Sequence, residues 1–171
     1  MNIKNIFSGT TLIFIFGAAS SLAFAVDKID AEDFVEEASA KSIAEVENAK
    51  LALQKSTSLD IQNFAQQMIT DHSAVNIQLT SIAGQKKLDV SDEAALTTKA
   101  KKFMLEQRDG DSFDEAYTEN QVEAHEDSIE LFQRAAMSDD VELAKFAKQT
   151  LPKLQHHLTM AKELAAAHDK D

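Results

Sequence analysis

Three histidines and one glutamate stand where a helical reading of this chain would place apolar side chains. At 100° per residue, His72 shares a helix face with Ile61, Ala65, Met68, Val75, Leu79 and Ala83. His125 sits among Val122, Ile129, Phe132 and Ala136, and His157 among Leu143, Phe146, Leu154, Ala161 and Leu164. Glu45 is flanked in the same way by Phe34, Ala38, Ala49 and Ala52, whereas Glu36, Glu37, Glu47 and His156 fall on wet faces. A buried charge without a partner is costly, so each inward group needs one. Three imidazoles and a carboxylate suit one zinc, copper, iron or nickel ion, and helical bundles build metal sites from facing helices in this manner. Met68, four residues before His72, and Met160, three after His157, are candidate auxiliary soft ligands that would favour copper, Cu(I) above all. The competing reading is a hydrogen-bond network, such as Glu45 with His72, that only fixes helix register, with the two methionines as core filler.

Other chemistries find less support. Ferritin-like di-iron sites need Glu-x-x-His on two helices, yet the residue three before each inward histidine is Ile69, Val122 or Leu154. A redox enzyme is therefore the poorest match. No serine lies in a nucleophile-elbow sequence, and no glycine-rich phosphate loop occurs. With no cysteine in the chain, thiolate metal sites, thiol nucleophiles and a lipid-modified N-terminal cysteine are excluded.

The elements that must position these groups are helices. Beyond the first 25 residues only Gly84, Gly110 and Pro152 punctuate a sequence rich in Ala, Glu, Lys, Gln and Leu, which reads as all-α. A helix is expected from an Asp30 cap to about residue 56, and a second over 59–86 after a Ser58 cap. The two-residue link between them forces an antiparallel hairpin. A shorter helix is expected from a Ser91 cap to about residue 108, with Asp109-Gly110-Asp111-Ser112 as the clearest turn. A fourth helix follows over 113–137, and Asp139 with Glu142 resembles a capping box for a fifth, which ends near residue 167. Pro152 lies inside that last helix and predicts a kink. Phe64-Ala65-Gln66-Gln67 is echoed by Phe146-Ala147-Lys148-Gln149. Hairpin, long crossover, hairpin is the connectivity of a ferritin-like four-helix bundle, here with a short extra helix in the crossover. Counted from the shared turns, His125 and His157 stand at levels about 8 Å apart, which argues against one compact four-ligand site.

Residues 1–25 carry a positive n-region at Lys4, an apolar core over 12–19 and Ala23-Phe24-Ala25 as a small-x-small site. This predicts a secretory signal peptide cut after Ala25 and a single exported domain over 26–171, in the periplasm or outside the cell. The apolar run is too short to span a membrane. Losing Lys4 with the leader takes the formal charge from −12 to −13. Such a surface repels nucleic acid and anionic lipid while favouring cations or a basic partner.

The residues also resemble a family. Asp33-Phe34-Val35, Glu45-Val46, Phe64-Ala65-x-x-Met68-Ile69-x-Asp71-His72, Phe113-Asp114-x-Ala116-Tyr117, Val122-x-x-His125 and Thr150-Leu151-Pro152-x-Leu154-x-x-His157-Leu158 follow, in order, the pattern of the exported bacterial family known as domain of unknown function 4142. The resemblance implies a ferritin-like fold and export, and it supplies no activity. Where that family often carries glycine after its Glu-Val-x-Leu segment, this chain has Glu45-Val46-Glu47-Asn48-Ala49.

Overall fold

The computed structural model describes residues 27–169, so the expected signal peptide and its cleavage site lie outside the described residues. Five helices follow one another: α1 (Ala31–Lys55), α2 (Leu59–Lys86), α3 (Leu96–Glu106), α4 (Gly110–Ala135) and α5 (Val141–His168). The α1–α2 and α4–α5 pairs are antiparallel hairpins that pack against each other, and α3 lies in the crossover between them. This is the ferritin-like arrangement that the helix order predicts. Among the described residues no helix is long and apolar enough to cross a membrane.

The core falls into two apolar clusters, one at each end of the bundle. Phe34, Leu79, Phe132, Leu143 and Phe146 fill one end, where the Phe34 and Phe132 rings meet edge to face at 5.2 Å. Ile61, Phe64, Met68, Phe113 and Tyr117 fill the other. The echoed Phe64 and Phe146 therefore anchor opposite ends, as two hairpins related by a crosswise two-fold would place them. Between the clusters lies a buried polar layer: Ser42, Glu45, His72, Gln121, His125, Ser128, Thr150 and His157.

Several helix ends differ from their sequence-based expectations, each for a local reason. Ser91 does not cap α3, which starts at Leu96 after Ala95. The Ser91 hydroxyl instead donates to the Glu93 carbonyl at 2.7 Å, and its N–H donates to Ser39 Oγ at 2.8 Å. This side-chain turn competes with helix initiation and ties the crossover to α1. Of the apolar residues of α3, Leu105 is the one that is buried, while Leu96, Phe103 and Met104 are exposed. The Lys55 ammonium donates to the Glu106 and Arg108 carbonyls, both at 2.7 Å, satisfying the open end of this short helix. The expected turn at 109–112 is tighter than its composition suggests. Gly110, at φ +54°, already opens α4 behind Asp109, a left-handed position that suits glycine. α5 runs through Pro152 as one continuous helix.

The N-cap of α5 is Asp140, not Asp139: its carboxylate accepts from the Glu142 and Leu143 N–H groups, both at 3.1 Å. It also holds Lys86 of α2 at 2.7 Å, whereas Asp139 makes an exposed pair with Lys28. Asp140→Ala is expected to destabilise the fold by about 1–2 kcal/mol in urea denaturation, and Asp139→Ala by less than about 0.5 kcal/mol. Equal losses would contradict this capping assignment.

Candidate metal centre

Each long helix places one inward ionisable group in the polar layer, and all four are buried: Glu45 3%, His72 4%, His125 1% and His157 1% exposed. The three histidines converge. Their ring centroids are 5.6 Å (His72–His125), 5.7 Å (His72–His157) and 5.4 Å (His125–His157) apart. One ring nitrogen from each lies within 4.8 Å of one from each of the others. The 8 Å offset counted from the sequence is thus closed, and side-chain direction explains how. Helical side chains lean toward the N-terminus of their own helix. His125, nearer the α4–α5 turn, leans away from it, and His157, farther along α5, leans back toward it.

Two of the three tautomers are set by hydrogen bonds. His125 Nδ1 lies 2.8 Å from the Gln121 carbonyl, which can only accept, so in the neutral ring Nδ1 carries the proton and Nε2 has the lone pair. His157 Nε2 lies 2.9 Å from Asp71 Oδ2, so Nε2 donates and Nδ1 keeps its lone pair. The nitrogens left over, His125 Nε2 and His157 Nδ1, together with His72 Nε2, are buried and have no hydrogen-bond partner. A second carboxylate oxygen of Asp71 accepts from Lys153 at 2.6 Å. Burial pushes the Asp71 carboxyl up, but the bonds from Lys153 and His157 outweigh it and hold the group below the usual range. Asp71 therefore stays ionised and orients His157, the carboxylate–histidine arrangement that commonly stands behind a metal ligand.

Burial keeps the His72 and His157 rings neutral. Burial, then the nearby His125 and His157, push His72 well below the ordinary histidine value. Burial lowers His157 to about 4, with the Asp71 bond pulling upward and His125 and Lys153 pushing down. With His72 and His157 neutral, two of the three imidazoles can ligate a cation without first losing a proton.

Glu45 does not join the converging set, which among the described residues consists of the three histidines. Its carboxyl is pushed up by burial, with His125, the adjacent Gln121 amide and Lys41 drawing it back, and Oε2 is buried without a partner. The expected pairing of Glu45 with His72 is thus replaced by a neighbourhood of His125 and Gln121. Met68 belongs to the apolar cluster beside the histidines, and Met160 packs at its edge, lining a surface groove with Asp60, Asn63 and Phe64. Asp71 and Gln121 are the residues that sequence reasoning missed. Asp71 adjoins His72 within a motif of the family resemblance, and that adjacency was the available signal.

Comparison with known proteins bears on identity. The profile of the family described as domain of unknown function, DUF4142, matches residues 18–164. The chain belongs to this family. A crystal structure of a secreted DUF305 protein from Streptomyces coelicolor is similar, with a TM-score of 0.69 and 14% identity over 79% of this chain and 89% of that one. At that identity the likeness is one of fold. No curated protein gives a significant match. The DUF4142 chain thus shares its fold with that secreted DUF305 protein, and its chemistry is read from its own residues.

The low His157 and His72 values fix a pH response for the metal-free protein. The unfolded chain takes up these protons near 6.5 and the folded chain only near 4 for His157, so this stabilisation is complete above about pH 6.5 and is lost as pH falls toward 4. Urea denaturation between pH 6.5 and 5 should show stability falling by up to about 1.4 kcal/mol per pH unit for each such histidine. A flat profile over that window in a Glu45→Gln background, which removes the opposing proton uptake by the raised Glu45 carboxyl, would contradict neutral, buried His72 and His157.

Proposed function

We propose that this exported protein binds one transition-metal ion in the middle of its bundle, through His72, His125 and His157, in a metal-handling or stress role. The observation that carries the proposal is the set of three unpartnered ring nitrogens in a site where ligand atoms lie within 4.8 Å of one another. Buried polar atoms are normally satisfied, and three unpartnered ring nitrogens brought this close together suit a cation. Imidazole ligands at about 2.0–2.1 Å from zinc stand about 3.4 Å apart, so the triad closes on an ion by small side-chain shifts. The imidazole donor set suits zinc, copper, iron or nickel. The cavity beside His72 is about 10 Å³, room for about one water. This favours holding an ion over turning over a substrate. The second reading, a polar layer that only fixes register, draws on the Asp71–His157 and Asp71–Lys153 bonds, which tie α2 to α5 without any ion.

Calorimetric titration of the untagged protein with zinc and copper separates the two. One ion per chain is expected, with zinc at a thousand times its Kd raising stability by about 4 kcal/mol. His72→Ala should abolish both effects, and Asp71→Asn should weaken binding about 10–100-fold. If the untagged protein takes up no ion, and His72→Ala merely lowers stability, the layer is structural.

A further inference from the structure

A buried triad needs a way in, and one seam of the bundle supplies it. Between α1 and α4 lies a cleft of about 50 Å³ whose walls include Lys41, Glu45, Asn48, Asn120, Asp127 and Ser128. Thr98 and the exposed Lys101 of the crossover complete its lining. The small cavity beside His72 shares two of these wall residues, Lys41 and Ser128. At the inner end stands Glu45, 3% exposed, with a buried Oε2 that has no hydrogen-bond partner, and it is near enough to His125 to interact with it electrostatically. The cations at the mouth are engaged: Lys41 lies 3.7 Å from Glu37 and 3.8 Å from Asp127, and Lys101 lies 2.7 Å from Glu123. Asn48 Nδ2 donates to Asn120 Oδ1 at 3.4 Å across the seam, a long, weak bond that opens readily.

We propose that this α1–α4 cleft is the path by which a divalent metal ion reaches the triad, with the Glu45 carboxylate as a transient ligand that replaces part of the ion's water shell and hands it to His125. The inference rests on the metal-binding reading of the triad and adds a separate site to it. A carboxylate is a good oxygen ligand for a hydrated divalent ion and a poorer one than imidazole for zinc or cobalt, so transfer runs inward. An acidic surface, formally −12 overall, raises the local concentration of cations at the mouth.

Cobalt(II), whose visible absorption changes on nitrogen ligation, is the probe. Stopped-flow mixing of the untagged protein with cobalt gives the loading rate, and excess chelator gives the release rate. Glu45→Gln is expected to slow loading and release together by at least about tenfold, leaving the equilibrium affinity within about threefold. Asn120→Leu, which obstructs the cleft and keeps the carboxylate, should slow loading in the same way. Loading at the wild-type rate in both variants would overturn the path. Faster release with lost affinity in Glu45→Gln would make Glu45 an equilibrium ligand instead. A wild-type protein that takes up no cobalt would fail one step earlier, at the triad itself.

Discussion

The structure depends on a polar layer set across the middle of an otherwise apolar bundle. The two clusters around Phe34 and Phe64 hold the helices together, but they would tolerate several registers. Three imidazoles from three helices, each within 6 Å of the other two by ring centroid, tolerate one. The layer comes at an energetic cost, because unpartnered buried nitrogens lose their hydration. That cost is what a bound cation would remove. Asp71 shows how the layer is braced from outside: a largely buried carboxylate with Lys153 on one oxygen and His157 on the other converts an ion pair at the surface into a fixed ring orientation inside.

Helical periodicity made the inward set legible before any coordinates, because a histidine or glutamate on an apolar stripe stands out against Val, Leu and Phe. It also located α2 to the residue at both ends. The level of each group along the bundle was not legible. Counting residues from a turn places Cα atoms, whereas the ligand atoms sit a side chain away and lean toward each helix's N-terminus, which brings His125 and His157 into contact. Asp71 was missed because its position beside His72 reads as the wet flank of α2, and its partners lie 82 and 86 residues away. Composition likewise misplaced the starts of α3 and α5. Ser91 and Asp139 are good cap types, but the Ser39 hydroxyl captures the first residue's backbone, and Lys86 with two N–H groups selects Asp140 over its neighbour.

The two seams between the hairpins differ in kind. The α2–α5 side is closed by the Asp71–Lys153–His157 group. The α1–α4 side is lined by Ser42, Glu45, Asn48, Tyr117, Gln121 and Ser128, all buried, several with unsatisfied polar atoms. The Tyr117 hydroxyl is itself pushed well above its usual value by burial and by Glu45. One seam thus braces the triad and the other gives the core polar character continuous with the surface, a division of labour that follows from which helix faces carry oxygen rather than hydrocarbon.

The central claim is that three ring nitrogens converge to hold one ion. X-ray absorption at the zinc edge of the zinc-loaded, untagged protein tests it most directly. The expected spectrum shows three imidazole nitrogens at about 2.0–2.1 Å with one light atom completing the shell, and it loses imidazole scattering in His125→Ala. A shell dominated by oxygen, or imidazole scattering unchanged in His125→Ala because the exposed His156 or the partly buried His168 supplies it, would contradict the account.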